Sequence, residues 1–251
     1  MVLHGAPGAQ SPKQEFTGHV DYPGFYTAEN YERANQFLEW MAERIHTNEG
    51  YRSVFMLEVL NEPIRTWEYP DLAADMIANF YPAAWSRIRA KESELGVAES
   101  NQLYIQMMGD IWGSGDPKSK LADTNFAKFD DHRYYKWDSS VTKTKDGYMT
   151  AACNDDRGDN IIGEWTISVA DDVQDNGEFN IDGSPAEQVD WYQKFWAAQA
   201  QTFEKSGGWI FWSWKCDWIG GKDDWRWCYE SAVAAGAIPK DASSASSISP
   251  C

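Results

Sequence analysis

Five short apolar runs, FMLEVL (55–60), LYIQMM (103–108), FAKFDD (126–131), IIGEW (161–165) and WIFWSW (209–214), recur along the chain, with amphipathic stretches between most of them. Over 29–47, Ala34, Leu38, Met41 and Ile45 fall on one helical stripe. Over 71–95 the same period runs through Leu72, Met76, Phe80 and Ile88, with Pro82 placed to kink or divide the helix. SPAE at 184–187 reads as a capping box with proline at the first helical position. It opens a helix through Val189, Tyr192, Phe195 and Phe203 that Gly207 and Gly208 end. Strands alternating with helices predict parallel strands joined by crossover helices. An open doubly wound sheet advertises a glycine-rich phosphate loop after its first strand, and the sequence has none. The expected fold class is therefore α/β, a (β/α)8 barrel.

VLHGAPG at 2–8 reads as the end of a strand and the loop that follows it. Eight strands spaced ~25 to ~50 residues apart, the spacing of the five runs, need more than the 251 residues present. The chain is accordingly expected to hold a barrel without roughly its first two to three strands, over residues 1–240. The Ser/Ala-rich tail at 241–251, DASSASSISPC, reads as disordered.

A formal net charge of −17 repels polyanions and anionic lipid surfaces, so nucleic acid and membrane are excluded as partners and a neutral substrate is favoured. No apolar run approaches the ~20 residues of a membrane helix, and no signal peptide opens the chain. Fourteen tryptophans exceed what packing a chain of this size requires. Flat rings rimmed by carboxylates and amides suit the C–H faces of sugars. The four cysteines show no zinc-ligand spacing. Cys216 and Cys228 flank a tryptophan-rich loop and read either as a disulfide or as two buried thiols.

The chemistry gathers at strand ends. In FMLEVLNEP the apolar run ends in Asn61, Glu62 and Pro63, which places Glu62 at the barrel face where loops converge. Glu58, inside the same run, is expected to have a structural role. In NIIGEWTIS a second apolar strand ends in Glu164. Two carboxylates at the ends of two strands are the minimum for glycoside hydrolysis, one protonated and one ionised. Asn61 offers an amide to a sugar 2-hydroxyl. His132 and Tyr134 in DDHRY alternate by two and so share a face, the tyrosine placed to orient the nucleophile and the imidazole to contact the acid. Trp212 and Trp214 in GWIFWSWK share a face and are candidates to floor the pocket, and His4 is a candidate to bind a substrate hydroxyl.

LHGAPG, LEVLNEP, DDHRY, GEW and GWIFWSWK, in this order, resemble the fungal β-glucanases of glycoside hydrolase family 5 from residue 2 to about residue 239. The resemblance implies a (β/α)8 barrel and hydrolysis with retention of configuration. It implies Glu62 as acid/base, Glu164 as nucleophile, and His4, Asn61, His132, Tyr134 and Trp212 as substrate-binding residues, with no cofactor. DDHRYYKWD, GEWTISV and WRWCYESAVAAGAIP look most like the endo-β-1,6-glucanases, with the exo-β-1,3-glucanases as the alternative. The family's arginine beside the nucleophile lies on a strand end with no counterpart here. That leaves an inactive, carbohydrate-binding barrel as a second alternative. A secreted monomer acting on β-glucan is the implied setting.

Overall fold

The computed structural model describes residues 1–12, 17, 21–216 and 224–251. The chain divides into two compact units, Met1–Asp130 and Asp131–Cys251.

The first unit holds strands β1 (Met56–Glu58) and β2 (Tyr104–Met108) and the start of β3 (Ala127–Arg133), with helices α1 (Ala28–Thr47), α2 (Pro70–Asp75) and α3 (Tyr81–Glu94). β1 pairs with β2 in parallel, Met56 opposite Tyr104, and β2 pairs with β3, Ile105 opposite Ala127. Val2 makes a parallel bridge to Glu58, Leu3 donates to the Glu58 carbonyl at 3.2 Å, and Asn61 donates to the Leu3 carbonyl at 3.0 Å. The first residues therefore pair as the strand end that the sequence predicts. Glu58 has its backbone bridged from both sides and its side chain buried, which suits the structural role expected of it.

α1 forms where the stripe predicts, opened by the Thr27 hydroxyl accepting from the Asn30 amide. Leu38, Met41 and Ile45 of α1 join Trp85 and Ile88 of α3 in one core. The second helical stretch is divided, as Pro82 demands: α2 gives way to one π-helical turn, Met76–Phe80, and α3 begins with the proline in its first turn. At the far end of α3, Glu92 is fully buried and accepts from Arg89, from the Leu103 amide at 2.7 Å and faces His46 Nε2 at 3.0 Å. That carboxylate ties α1, α3 and the start of β2 together.

The second unit holds the end of β3, then β4 (Ile161–Trp165), which follows it in the sheet order, with α4 (Lys145–Cys153), α5 (Ala186–Lys205) and α6 (Tyr229–Ala234). The WIFWSW run pairs in parallel beside β4: Ile162 donates to the Gly208 carbonyl, Ile210 to that of Ile162 and Trp212 to that of Trp165, each at 2.9 Å. Trp165, fully buried, meets Phe203, Trp209 and Phe211 edge to face. α5 stops just before Gly207, as read from sequence, but the capping box does not form. Ser184 turns into the left-handed region at φ +55° and Pro185 occupies the cap with no side-chain hydrogen bond. Among the described residues, no helix is long and apolar enough to cross a membrane.

Two disulfides close loops in this unit. Cys216 bonds Cys228, the first of the two readings open from sequence, and Cys153 at the end of α4 bonds Cys251. The tail read as disordered is thereby anchored. Ala242–Ser247 forms a short 3-10 helix, Ala245 is buried, and the Gln201 amide donates to the Ala245 and Ile248 carbonyls at 2.6 and 2.7 Å. The Cys153–Cys251 bond spans 98 residues, long enough for cross-linking to restrict the unfolded chain strongly. Cys251→Ser is expected to cost about 2 to 4 kcal/mol, a fall of roughly 5 to 15 °C in Tm by calorimetry without reductant.

Candidate active site

In the first unit the candidate residues lie on the loops that leave the opening strand segment and β1. Gln10, fully buried, organises them. Its side-chain amide donates to the His4 carbonyl at 2.5 Å and the Asn61 carbonyl at 2.9 Å, while its oxygen accepts from the Ala6 amide at 3.1 Å. Gly8 makes the close turn possible: at φ +80° its α-carbon packs so tightly that an added Cβ would stand 2.8 Å from the Gly24 carbonyl oxygen. Asn61 is 1% exposed, and its side-chain oxygen is buried with no hydrogen-bond partner among the described residues. Glu62 follows, half-buried and at φ +38°, in the left-handed region that glycine and asparagine tolerate better than glutamate. Such strain persists where the surrounding structure holds it, and it gathers at functional sites. Gln10 carries no motif, and sequence reading passed over it.

In the second unit, β3 and β4 bring three of the candidates together. Glu164, 8% exposed at the end of β4, accepts from the Tyr134 hydroxyl at 2.6 Å through Oε2, and His132 Nδ1 lies 3.4 Å from the same oxygen. The shared face read from DDHRY brings both side chains to one carboxylate: the tyrosine meets Glu164 as expected, and the imidazole, expected at the acid, faces Glu164 as well. A phenol hydrogen bond to one oxygen fixes the orientation of the other, which a nucleophile needs. Tyr134 is itself held by Trp137 and Trp227, ring centroids 5.0 and 5.5 Å away. These two tryptophans sequence reading missed, although "YYKW" carries the first of them. Trp212 is half-buried beside β4, and the peptide bond to Ser213 is cis. Trp214 is 64% exposed and stacks on Tyr229, 5.8 Å apart and 16° from parallel.

No family model matches the chain. The glucan endo-1,6-beta-glucosidase B of Emericella nidulans is 51% identical over 99% of this chain, which spans 59% of that relative. The glucan 1,3-beta-glucosidase of Schwanniomyces occidentalis is 26% identical over 94% of the chain and 59% of its own length. Among solved structures, rutinosidase from Aspergillus niger superposes with a TM-score of 0.58 over 93% of this chain and 65% of that one, at 16% identity. The chain therefore spans about three fifths of the length of the curated relatives it matches. The resemblance and the fold read from sequence are borne out: the strands and helices are βα units of a (β/α)8 barrel.

The end of β3 is braced by a charged network. Asp131 pairs with Arg157 at 3.0 Å, Arg157 and Arg133 both pair with Asp155, Arg133 also pairs with Asp138, and the Tyr135 hydroxyl donates to Asp155 at 2.8 Å. Burial acts to raise the Asp138 carboxyl, but hydrogen bonds from the Ser140 hydroxyl and Arg133 outweigh it and hold the group at about 2. Asp155 is likewise lowered: burial opposes ionisation, and Arg157 and Arg133 overcome it. A carboxylate whose folded value lies below its unfolded one contributes stability above the unfolded value and loses it as pH falls through the folded one. Denaturant unfolding is therefore expected to show stability falling between about pH 4 and pH 2, with Asp138, its ion pair screened by solvent, supplying about 1 kcal/mol of the change. Asp138→Asn should flatten that slope.

Proposed function

We infer that the chain belongs to glycoside hydrolase family 5, and from that membership we propose that the protein it comes from is a retaining β-glucan hydrolase acting on β-1,6-linked glucan. The half identity to an endo-1,6-beta-glucosidase across nearly the whole chain carries this reading. The identity to a glucan 1,3-beta-glucosidase is about half as high, which favours the β-1,6 linkage over the β-1,3 alternative.

The proposed mechanism is double displacement. Glu164 attacks the anomeric carbon while Glu62 protonates the departing oxygen, giving a covalent glycosyl-enzyme. Glu62, now a base, then draws a proton from water, which displaces Glu164 and restores the configuration. The mechanism requires the two carboxyl groups about 5 to 5.5 Å apart. The Tyr134 hydroxyl, at 2.6 Å, supports the role given to Glu164 because it fixes the attacking group without blocking its second oxygen. The buried Asn61 side-chain oxygen, beside Glu62, is suited to accept from a sugar hydroxyl, which would supply the hydrogen bond it lacks among the described residues. His4 and His132 would contact substrate hydroxyls, and Trp212 and Trp214 would offer ring faces to the sugars. Two disulfides suit an oxidising compartment, which supports secretion toward a cell-wall polysaccharide. The protein is proposed to act as a monomer.

Reducing-sugar release from pustulan, a soluble β-1,6-glucan, tests the reading. Glu164→Gln is expected to lower kcat on the order of 10⁴-fold, as loss of a nucleophile does. Glu62→Gln should lower it on pustulan while sparing the first step on a dinitrophenyl glucoside, whose leaving group needs no proton. Turnover unchanged in Glu164→Gln, or an equal loss on both substrates in Glu62→Gln, would remove the roles assigned. Tyr134→Phe should cost about 10- to 100-fold in kcat, by loss of a single positioning hydrogen bond.

A further inference from the structure

The turn that leaves Glu62 ends in a tryptophan that the proposed mechanism does not use. Trp67 is 66% exposed, yet its surroundings are firmly built. The turn is bonded to the loop after β2 at several points. Thr66 donates to the Gly113 carbonyl from its amide at 2.9 Å and from its hydroxyl at 3.0 Å. The Trp112 indole donates to the Pro63 carbonyl at 3.1 Å, and the Ser114 hydroxyl donates to the Ile64 carbonyl at 2.5 Å. From the other side, the Ile64 amide donates to the Tyr26 hydroxyl at 3.0 Å.

The ring itself is seated. Arg65 places its guanidinium over Trp112 at 3.3 Å and over Trp67 at 5.2 Å from the ring centroid, and donates to the Trp112 carbonyl. Gly113, at φ +98°, lies directly against the benzo edge: a Cβ there would stand 2.4 Å from Trp67 Cζ3. Only glycine permits both the left-handed backbone and that contact. An exposed indole held by a cation and by bare backbone has lost its freedom before any ligand arrives. Binding to it then costs little ordering entropy.

We propose that Trp67 is a carbohydrate platform, stacking on a glucosyl unit of the β-glucan chain away from the bond being cleaved. A neutral sugar fits the site better than a peptide or nucleic acid, since the ring offers a flat apolar face on a chain of net charge −17. The platform would make binding grow with chain length. The inference rests on the glucanase reading, and its test keeps the two apart.

Affinity electrophoresis through gels containing pustulan reads binding without turnover when the chain carries Glu164→Gln. Adding Trp67→Ala is expected to weaken retardation roughly 3- to 10-fold, and Trp67→Phe to restore most of it. In the otherwise unaltered enzyme, Trp67→Ala should raise KM most for pustulan and least for a disaccharide. Equal retardation with and without Trp67, while the protein still hydrolyses pustulan, overturns the platform and leaves the glucanase reading standing. A protein that neither cleaves nor binds any β-glucan overturns both. If Trp67→Ala unfolds by circular dichroism, Trp67→Leu takes its place: it fills the seat without a ring, and retardation equal to that of Trp67→Phe overturns the proposal.

Discussion

Parallel strands cannot be joined by a tight turn, and that constraint shapes the rest of this molecule. Each strand must be followed by a crossover long enough to return the chain to the other end of the sheet, which α1, the α2–α3 pair, α4 and α5 supply, and between β2 and β3 a loop with two 3-10 turns. Successive strands within each unit then send their carboxyl ends the same way. In the first unit the opening segment ends at His4 and β1 runs on to Asn61 and Glu62. In the second, β3 ends at His132 and Tyr134, and β4 contains Glu164. A rigid apolar strand thus presents polar groups at its end without burying them in its middle. Glu58 and Gln106, opposite one another in the ladder, are among the exceptions, as are Asp130 and Asp131 in β3, all buried within strands.

The parts of this arrangement that obey a period were legible. Leu38, Met41 and Ile45 repeat at the helical interval and are buried together. The two-residue step from His132 to Tyr134 brings both to Glu164 because a strand alternates faces. Features that depend on a distant partner were not. Gln10 looks like any loop glutamine until the Asn61 carbonyl, 51 residues away, is seen to accept from it. α4 has Gly147 in its first turn and a weak apolar stripe, so nothing in KDGYMTAAC announces a helix. The tail is polar enough to read as disordered, and what anchors it is distant in sequence: Cys153, which bonds Cys251, and Gln201, which donates to the Ala245 and Ile248 carbonyls. The failed capping box has a local cause: Ser184 spends its conformation on a left-handed turn and is no longer placed to cap.

Charge is managed in the same way in both units. With 39 acidic and 22 basic residues the chain cannot pair every carboxylate, and several that are buried or partly buried are met by arginine. Arg89 meets the fully buried Glu92, while Arg133 and Arg157 share Asp131, Asp138 and Asp155. Arginine suits this work because its planar fork satisfies two acceptors at once. An unpaired carboxylate at any of these positions would be costly, which makes the networks conditions for keeping β2 and β3 where they are rather than surplus stability.

The exposed tryptophans follow from the same economy of position. Scattered exposed aromatic residues are ordinary on protein surfaces and need no explanation. Trp67, Trp137 and Trp214 differ in that each has a partner fixing its plane: Arg65 for the first, Tyr134 and Trp227 for the second, Tyr229 for the third. A ring left to hydrophobic chance would fold against the nearest apolar surface. These rings are supported by a partner and still stand mostly in solvent, 66%, 63% and 64% exposed. Support combined with exposure fixes a flat apolar surface in advance, which is the property that the sugar-stacking role proposed for Trp67 calls on.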